Sequence, residues 1–334
     1  MKTIKEQNPE MNSEPSAPTK DILTIKKYKV DLNQQNLHLY SLNKTKANIL
    51  EFTALKLYPE DPNEQQQVTD ETLKRLARAI RLSIKIHTLK INCSGCFEVT
   101  DEGLKYLSES IRRLTSLKHL NLNFERSYKR FDNLTNLGLS HLCQALKTLT
   151  SLQDLTLNFN VSNLRASDQT EIGDPGLSML GQALQGLASL RKVHLGFNSF
   201  RGITNSGISS LSKNLSRMIS LQILYLQFQG PGFDNWRMEI DGIGLQILSQ
   251  NLKKLVSLHS LGLNFSGCKK ICDTGIKDLA QTFGSLSSLQ KVDLNFGCCW
   301  GITREGADII YQALGNLTSV QNLRFNFTRK FRTH

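Results

Sequence analysis

Leu120-Asn121-Leu122-Asn123-Phe124 decides the reading of this chain. The same phrase returns as Leu155-Thr156-Leu157-Asn158-Phe159, Leu261-Gly262-Leu263-Asn264-Phe265 and Val292-Asp293-Leu294-Asn295-Phe296. Apolar and polar residues alternate in it, as in a strand with one buried face. Weaker copies begin at Leu55, Leu89, Val193, Leu224 and Leu323, so four clear and five weaker copies make nine strands.

Downstream of the strands stand Gly103, Gly138, Gly176, Gly207, Gly244, Gly275 and Gly306, separated by 35, 38, 31, 37, 31 and 31 residues. The base period is therefore 31, with insertions in three units. Counting from the glycine, apolar residues fall at +1, +4, +8 and +11, as in Leu104, Leu107, Ile111 and Leu114 or Ala307, Ile310, Leu314 and Leu317. That spacing is one face of one helix. A strand and a helix in every unit predict parallel strands joined by crossovers and stacked into a solenoid. A serine precedes each strand (Ser116, Ser151, Ser189, Ser220, Ser257, Ser288, Ser319), and its hydroxyl is expected to satisfy backbone groups of the helix-to-strand turn.

The phrase Leu-x-x-Leu-x-Leu, at Leu117, Leu120, Leu122 and again at Leu152, Leu155, Leu157, together with Ile172-x-Asp174-x-Gly176-Leu177, resembles leucine-rich repeat proteins of the ribonuclease-inhibitor-like class. The likeness covers about residues 50 to 328. It implies an α/β fold: a right-handed leucine-rich repeat solenoid with a parallel concave sheet of about nine strands and convex helices. The chain departs from the family in one respect, since the asparagine beyond the strand survives only as Asn160 and Asn198. Asparagine sits instead between the last leucine and the phenylalanine, as Asn92, Asn123, Asn158, Asn264, Asn295 and Asn326. This column reads as a ladder of mutually hydrogen-bonded amides rather than as a ligand site.

Residues 1–20 are polar and punctuated by Pro9, Pro15 and Pro18, which reads as a disordered tail. Residues 21–54 carry apolar positions without the repeat phrase and are expected to cap the N-terminal end of the core. The array then runs over 55–334 without an evident C-terminal cap. That leaves a strand edge near Arg324, Asn326, Arg329 and Lys330, which either associates with another chain or is protected by its own charge. No apolar run is long enough to span a bilayer, and the first residues read as neither a signal nor a transit peptide. The expectation is a soluble intracellular, cytoplasmic protein, with cytoskeletal or large-complex association open.

The formal net charge of +12 favours an acidic partner. All insertions fall in the loops after the strands, on one edge of the array. The loops of this edge supply Arg126, Tyr128, Lys129 and Arg130, then Arg165, then Phe200 and Arg201, then Phe233, Trp236 and Arg237, then Lys269 and Lys270, then Trp300. Trp, Tyr and Arg supply much of the energy at protein interfaces, so this rim is the expected partner-binding surface. The alternative is that its aromatic side chains fold back to seal the core; Trp236, in the longest Gly-Pro-rich loop (Gly230, Pro231, Gly232), reads as a contact.

No catalytic constellation is present: no phosphate loop, no nucleophile elbow, no His-Glu-x-x-His. Cys93-x-x-Cys96 is a lone pair that core packing explains better than redox chemistry, because Cys93 takes the strand-end place held elsewhere by Phe. The seven cysteines read as free thiols, with a cluster of Cys268, Cys272, Cys298 and Cys299 as the lesser reading. No cofactor or metal is expected. The functional expectation is a non-enzymatic protein-protein interaction scaffold or adaptor, a structural subunit of a larger assembly. A basic RNA- or ribosome-associated subunit is the alternative, and a regulator resembling the GTPase-activating proteins of this repeat class is less favoured.

Overall fold

A computed structural model of the chain describes residues 27–31, 49–53, 68–81, 85–126, 134–162, 172–230 and 239–327, and the features below concern these residues. Its strands are β1 Lys27–Asp31, β2 Ile49–Thr53, β3 Thr88–Asn92, β4 His119–Asn123, β5 Asp154–Asn158, β6 Lys192–Gly196, β7 Ile223–Gln227, β8 Ser260–Asn264, β9 Lys291–Asn295 and β10 Asn322–Asn326. Its helices are α1 Asp70–Arg81, α2 Asp101–Ile111, α3 Asn136–Leu146, α4 Asp174–Leu184, α5 Asn205–Leu215, α6 Gly242–Leu252, α7 Asp273–Phe283 and α8 Arg304–Gly315. The ten strands form one parallel sheet in chain order, and every helix packs only against its neighbours in sequence. This is the layout of a leucine-rich repeat solenoid.

Eight of the nine expected strands, β3 to β10, stand where the repeat phrase puts them. The ninth was expected at Leu55, which lies outside the described residues, as does the tail 1–20. Two strands come earlier instead: β1 and β2 continue the same sheet in register from within the segment assigned to a cap.

The register explains the core. Leu89, Leu120, Leu155, Val193, Leu224, Leu261 and Val292 form one buried row across the sheet, and Ile91, Leu122, Leu157, Leu195, Leu226, Leu263 and Leu294 form the next. Beyond the strand ends the phenylalanines stack into a third row. Ring centroids lie 5.5 Å apart for Phe124–Phe159, 5.6 Å for Phe159–Phe197, 6.3 Å for Phe197–Phe228, 5.7 Å for Phe228–Phe265 and 5.9 Å for Phe265–Phe296. Offset aromatic pairs of this kind add to the energy of burial alone.

The helix starts are tied from unit to unit by a device that the sequence reading missed. Thr100, Thr135, Thr204 and Thr303 cap α2, α3, α5 and α8, each accepting from the N–H two residues on. Each of these threonines is itself held by the aspartate that opens the preceding helix. Asp70, Asp101, Asp174 and Asp273 accept from the threonine N–H at 2.8 Å and from its hydroxyl at 2.6 Å. The repeated glycine is part of the same device. A Cβ at Gly103, Gly138, Gly207 or Gly306 would collide with the Oδ1 of that aspartate, so the residue is required by a close approach rather than by its backbone angles.

A second column sets how near the helices lie. Ala77, Ser108, Cys143, Gly181, Ser212, Ser249 and Ala280, seven residues after each helix start, are small and buried, and a Cβ at Gly181 would meet Leu211 Cα of the next helix at 3.2 Å. The column breaks in α8 with Tyr311, whose ring sits edge-on to Phe325 at 4.6 Å over the end of the core.

The serine expectation fails for a physical reason. The helix-to-strand turns are closed by their own backbone, as in Leu117 N–H to Leu114 O at 2.9 Å and Leu258 N–H to Leu255 O at 3.0 Å. Ser116, Ser151, Ser189, Ser220, Ser257, Ser288 and Ser319 remain half-buried or exposed beside them.

Candidate functional site

Two surfaces carry the candidate residues: the rim of loops beyond the strand ends, and the face of the sheet turned away from the helices.

Bridges outside the main sheet hold the rim loops side by side, pairing Arg126 with Val161, Gly173 with Gly202, Thr204 with Glu239, Asp241 with Lys270 and Cys272 with Gly301. The bridged residues of consecutive loops therefore lie side by side. Within that row the side chains part company. Arg126 is half-buried and donates from Nη2 to Val99 O at 3.3 Å, bracing the preceding unit. Phe200 is 4% exposed and packs edge-on against Phe197 at 6.1 Å. It belongs to the core rather than to a contact surface, because its loop follows β6 with no insertion and folds straight back over the phenylalanine row. Arg201 is half-buried. Lys270 pairs with Glu239 at 2.5 Å, both largely in water, so the pair contributes little to stability.

Trp300 differs from all of these. Its side chain is 52% exposed, and Lys269 of the preceding unit places its ammonium 4.6 Å from the ring centroid. A cation over an indole face is attracted by the ring quadrupole and holds the ring in one orientation. Tyr128, Lys129, Arg130, Arg165, Phe233, Trp236 and Arg237 lie outside the described residues, as do Arg329 and Lys330 at the C-terminal edge. On that edge Arg324 and Asn326 of β10 are exposed, Asn326 donating to Asn295 Oδ1 at 3.1 Å, and Leu323 is 47% exposed.

On the sheet's open face the asparagine column works mainly along the chain. Asn92, Asn123, Asn158, Asn264 and Asn295 each accept, through Oδ1, from the N–H two residues on, at 3.0–3.1 Å. Each amide thus shapes the turn out of its own strand. The expected amide-to-amide rung occurs between Asn326 and Asn295. Asn160 and Asn198, just beyond the strand ends, accept from the next unit's backbone, at Asn198 N–H (2.9 Å) and Gln229 N–H (2.8 Å).

The same face carries an aromatic cluster that no motif announced. His194 and Tyr225 stand with centroids 5.3 Å apart, and the Tyr225 ring lies across Gly262, where a Cβ would collide with it. Tyr225 Oη and Ser260 Oγ share a hydrogen bond at 3.0 Å. Asn160 Nδ2 donates to Gln227 Oε1 at 2.9 Å, which turns the Gln227 amide nitrogen toward His194 Nε2 at 3.3 Å. Burial, and secondarily Lys192, holds the imidazole below the ordinary histidine range. The available signal was the one strand row in which a tyrosine neighbours a glycine.

Chemistry is sparse elsewhere. All seven cysteines are free. Burial pushes the thiols of Cys143 and Cys299 up to about 12 and that of Cys268 well above its usual value. Among the described residues no group of three or more His, Cys, Asp or Glu side chains is placed to hold a metal ion, and no helix is long and apolar enough to cross a membrane.

No family model matches the chain, and no curated protein matches it. Among solved structures it is similar to the tropomodulin C-terminal domain of Caenorhabditis elegans. That likeness is at 18% identity over 59% of this chain and 86% of that one, with a TM-score of 0.33. So distant a likeness carries no inference about function.

Proposed function

We propose that the chain is a non-enzymatic interaction scaffold, a right-handed array of the ribonuclease-inhibitor-like class acting as a subunit of a larger intracellular assembly. It docks an acidic protein surface on the loop rim. The carrying observation is Trp300, an exposed indole oriented by Lys269 in a row of basic loops. Exposed Trp beside cations is the composition that dominates binding energy at protein interfaces, and the surplus positive charge steers an acidic partner toward it. Tyr128, Trp236 and Arg237 extend this rim in sequence and join the same proposal.

The test is quantitative capture of partners by the tagged full chain, by Trp300→Ala and by Lys269→Glu, across a salt series and with a nuclease-treated arm. A protein that both substitutions release, and that nuclease leaves bound, supports the reading. Capture that ignores Trp300, or that falls log-linearly with salt and disappears with nuclease, overturns it in favour of RNA.

A further inference from the structure

The loop after each late strand makes the same turn. Cys268 N–H donates to Phe265 O at 3.0 Å and Cys299 N–H to Phe296 O at 3.2 Å, and each of these thiols points to a backbone carbonyl of the preceding unit, at Phe228 O and Phe265 O. The loop after β3 copies this turn with one change: the strand-end phenylalanine is replaced by Cys93. Cys96 N–H donates to Cys93 O at 3.1 Å, and Gly95 takes the positive φ of 79° that the third position of such a turn favours. Where those units place a phenylalanine and a cysteine at the two ends of the turn, this one places two cysteines.

From this geometry we infer that Cys93 and Cys96 are a reversible redox site that closes to a disulfide. A hydrogen-bonded four-residue turn brings its end Cα atoms within about 7 Å, and a disulfide needs about 4.4 to 6.8 Å. The segment is already fixed in that shape. Cys93 N–H is held by Asn123 O at 2.7 Å, Ser94 N–H by Asn92 Oδ1 at 3.1 Å, and Gly95 N–H by Glu125 O at 2.7 Å. The Cys96 thiol is the main reason that the Cys93 thiol is held well above its usual pKa, which agrees with the two sulfurs facing one another. Access separates this pair from the other neighbours. Cys96 is partly buried and so keeps some access to solvent, whereas Cys268 and Cys299 are 0% and 3% exposed. Attack therefore begins at Cys96.

The step needs a small disulfide oxidant such as oxidised glutathione. The Cys96 thiolate attacks one oxidant sulfur, expelling one thiol and leaving a mixed disulfide. The Cys93 thiol, giving up its proton to the departing thiolate, then attacks the Cys96 sulfur, forming the Cys93–Cys96 bond and expelling the second thiol. The protein loses two electrons and two protons, and the oxidant gains them as two thiols. The closed ring spans only four residues, so the bond acts as reversible chemistry at the N-terminal end of the rim rather than as a staple of the fold.

The full chain is incubated with oxidised glutathione, its remaining thiols are alkylated under denaturing conditions, and the peptides are mapped by mass spectrometry. The free-thiol count is expected to fall from the seven present to five, with Cys93 linked to Cys96 as the first disulfide. Cys93→Ser should trap glutathione on Cys96, and Cys96→Ser should leave Cys93 unmodified, both variants keeping the circular dichroism of the parent. Cys93 and Cys96 both recovered alkylated after other thiols have oxidised, or no adduct on Cys96 in Cys93→Ser, would overturn the inference.

Discussion

Asp174 Oδ2 accepts a 2.6 Å hydrogen bond from the hydroxyl of Thr204 while its Oδ1 accepts the Thr204 N–H at 2.8 Å, so one carboxylate at the start of α4 holds the cap of α5. The exceptions obey the same chemistry. Where the next cap is Asp241, the holding residue is Asn205, whose amide donates at 2.8 Å and avoids facing two carboxylates. Where the cap is Gly173, with no hydroxyl to give, Asn136 accepts the N–H alone at 3.1 Å. Where the cap is Cys272, which makes no side-chain cap hydrogen bond, the preceding helix opens with Gly242, and a Cβ there would stand 2.7 Å from the sulfur.

Asp174→Ala is expected to destabilise the array by about 1–3 kcal/mol, since it strands a partly buried donor pair. Thr204→Val should lose a similar amount, and a double-mutant cycle by urea unfolding should give a coupling of about 0.5–3 kcal/mol. Additive losses would mean that the two residues act independently.

Gly207→Ala is expected to destabilise, against the usual gain of about 1 kcal/mol for replacing glycine inside a helix, because its methyl would occupy the place of Asp174 Oδ1. Combining it with Asp174→Gly should cost less than the sum of the two. A stabilised single variant in thermal melts would disprove the packing role.

Phe197, stacked between Phe159 and Phe228 and fully buried, should cost about 3–5 kcal/mol on truncation to Ala, measured by denaturant midpoint. Trp300→Ala should change stability by no more than about 0.5 kcal/mol, as expected of an exposed ring. The same substitution should weaken partner binding by about 2 kcal/mol.

His194 makes the stability of the array depend on pH. Burial lowers its folded-state pKa, so below the ordinary histidine value of about 6.5 the unfolded chain takes up a proton that the folded chain resists. The contribution is intact above that pH and declines as pH falls through it toward the folded value. The difference in unfolding free energy between wild type and His194→Gln should therefore shrink on acidification from pH 7. A difference that is flat with pH would refute it.

Some of this was legible in advance and some was not. The alternation in Leu120-Asn121-Leu122 and the helical spacing of Leu104, Leu107 and Ile111 report contacts within one unit, so periodicity alone gives the strands, the helices and their order. Position in a loop does not say where an aromatic ring goes. Phe200 and Trp300 occupy comparable rim loops, yet one fills the phenylalanine row and the other stands in water.

The sequence by itself determined the period, the parallel order of the units and the three buried rows, because these follow from the rise of a strand and the turn of a helix. Only the tertiary structure decided why the glycines recur and how Asn160 and Gln227 orient His194. Those facts depend on side-chain direction and on atoms brought together from units about thirty residues apart, and no local pattern encodes them.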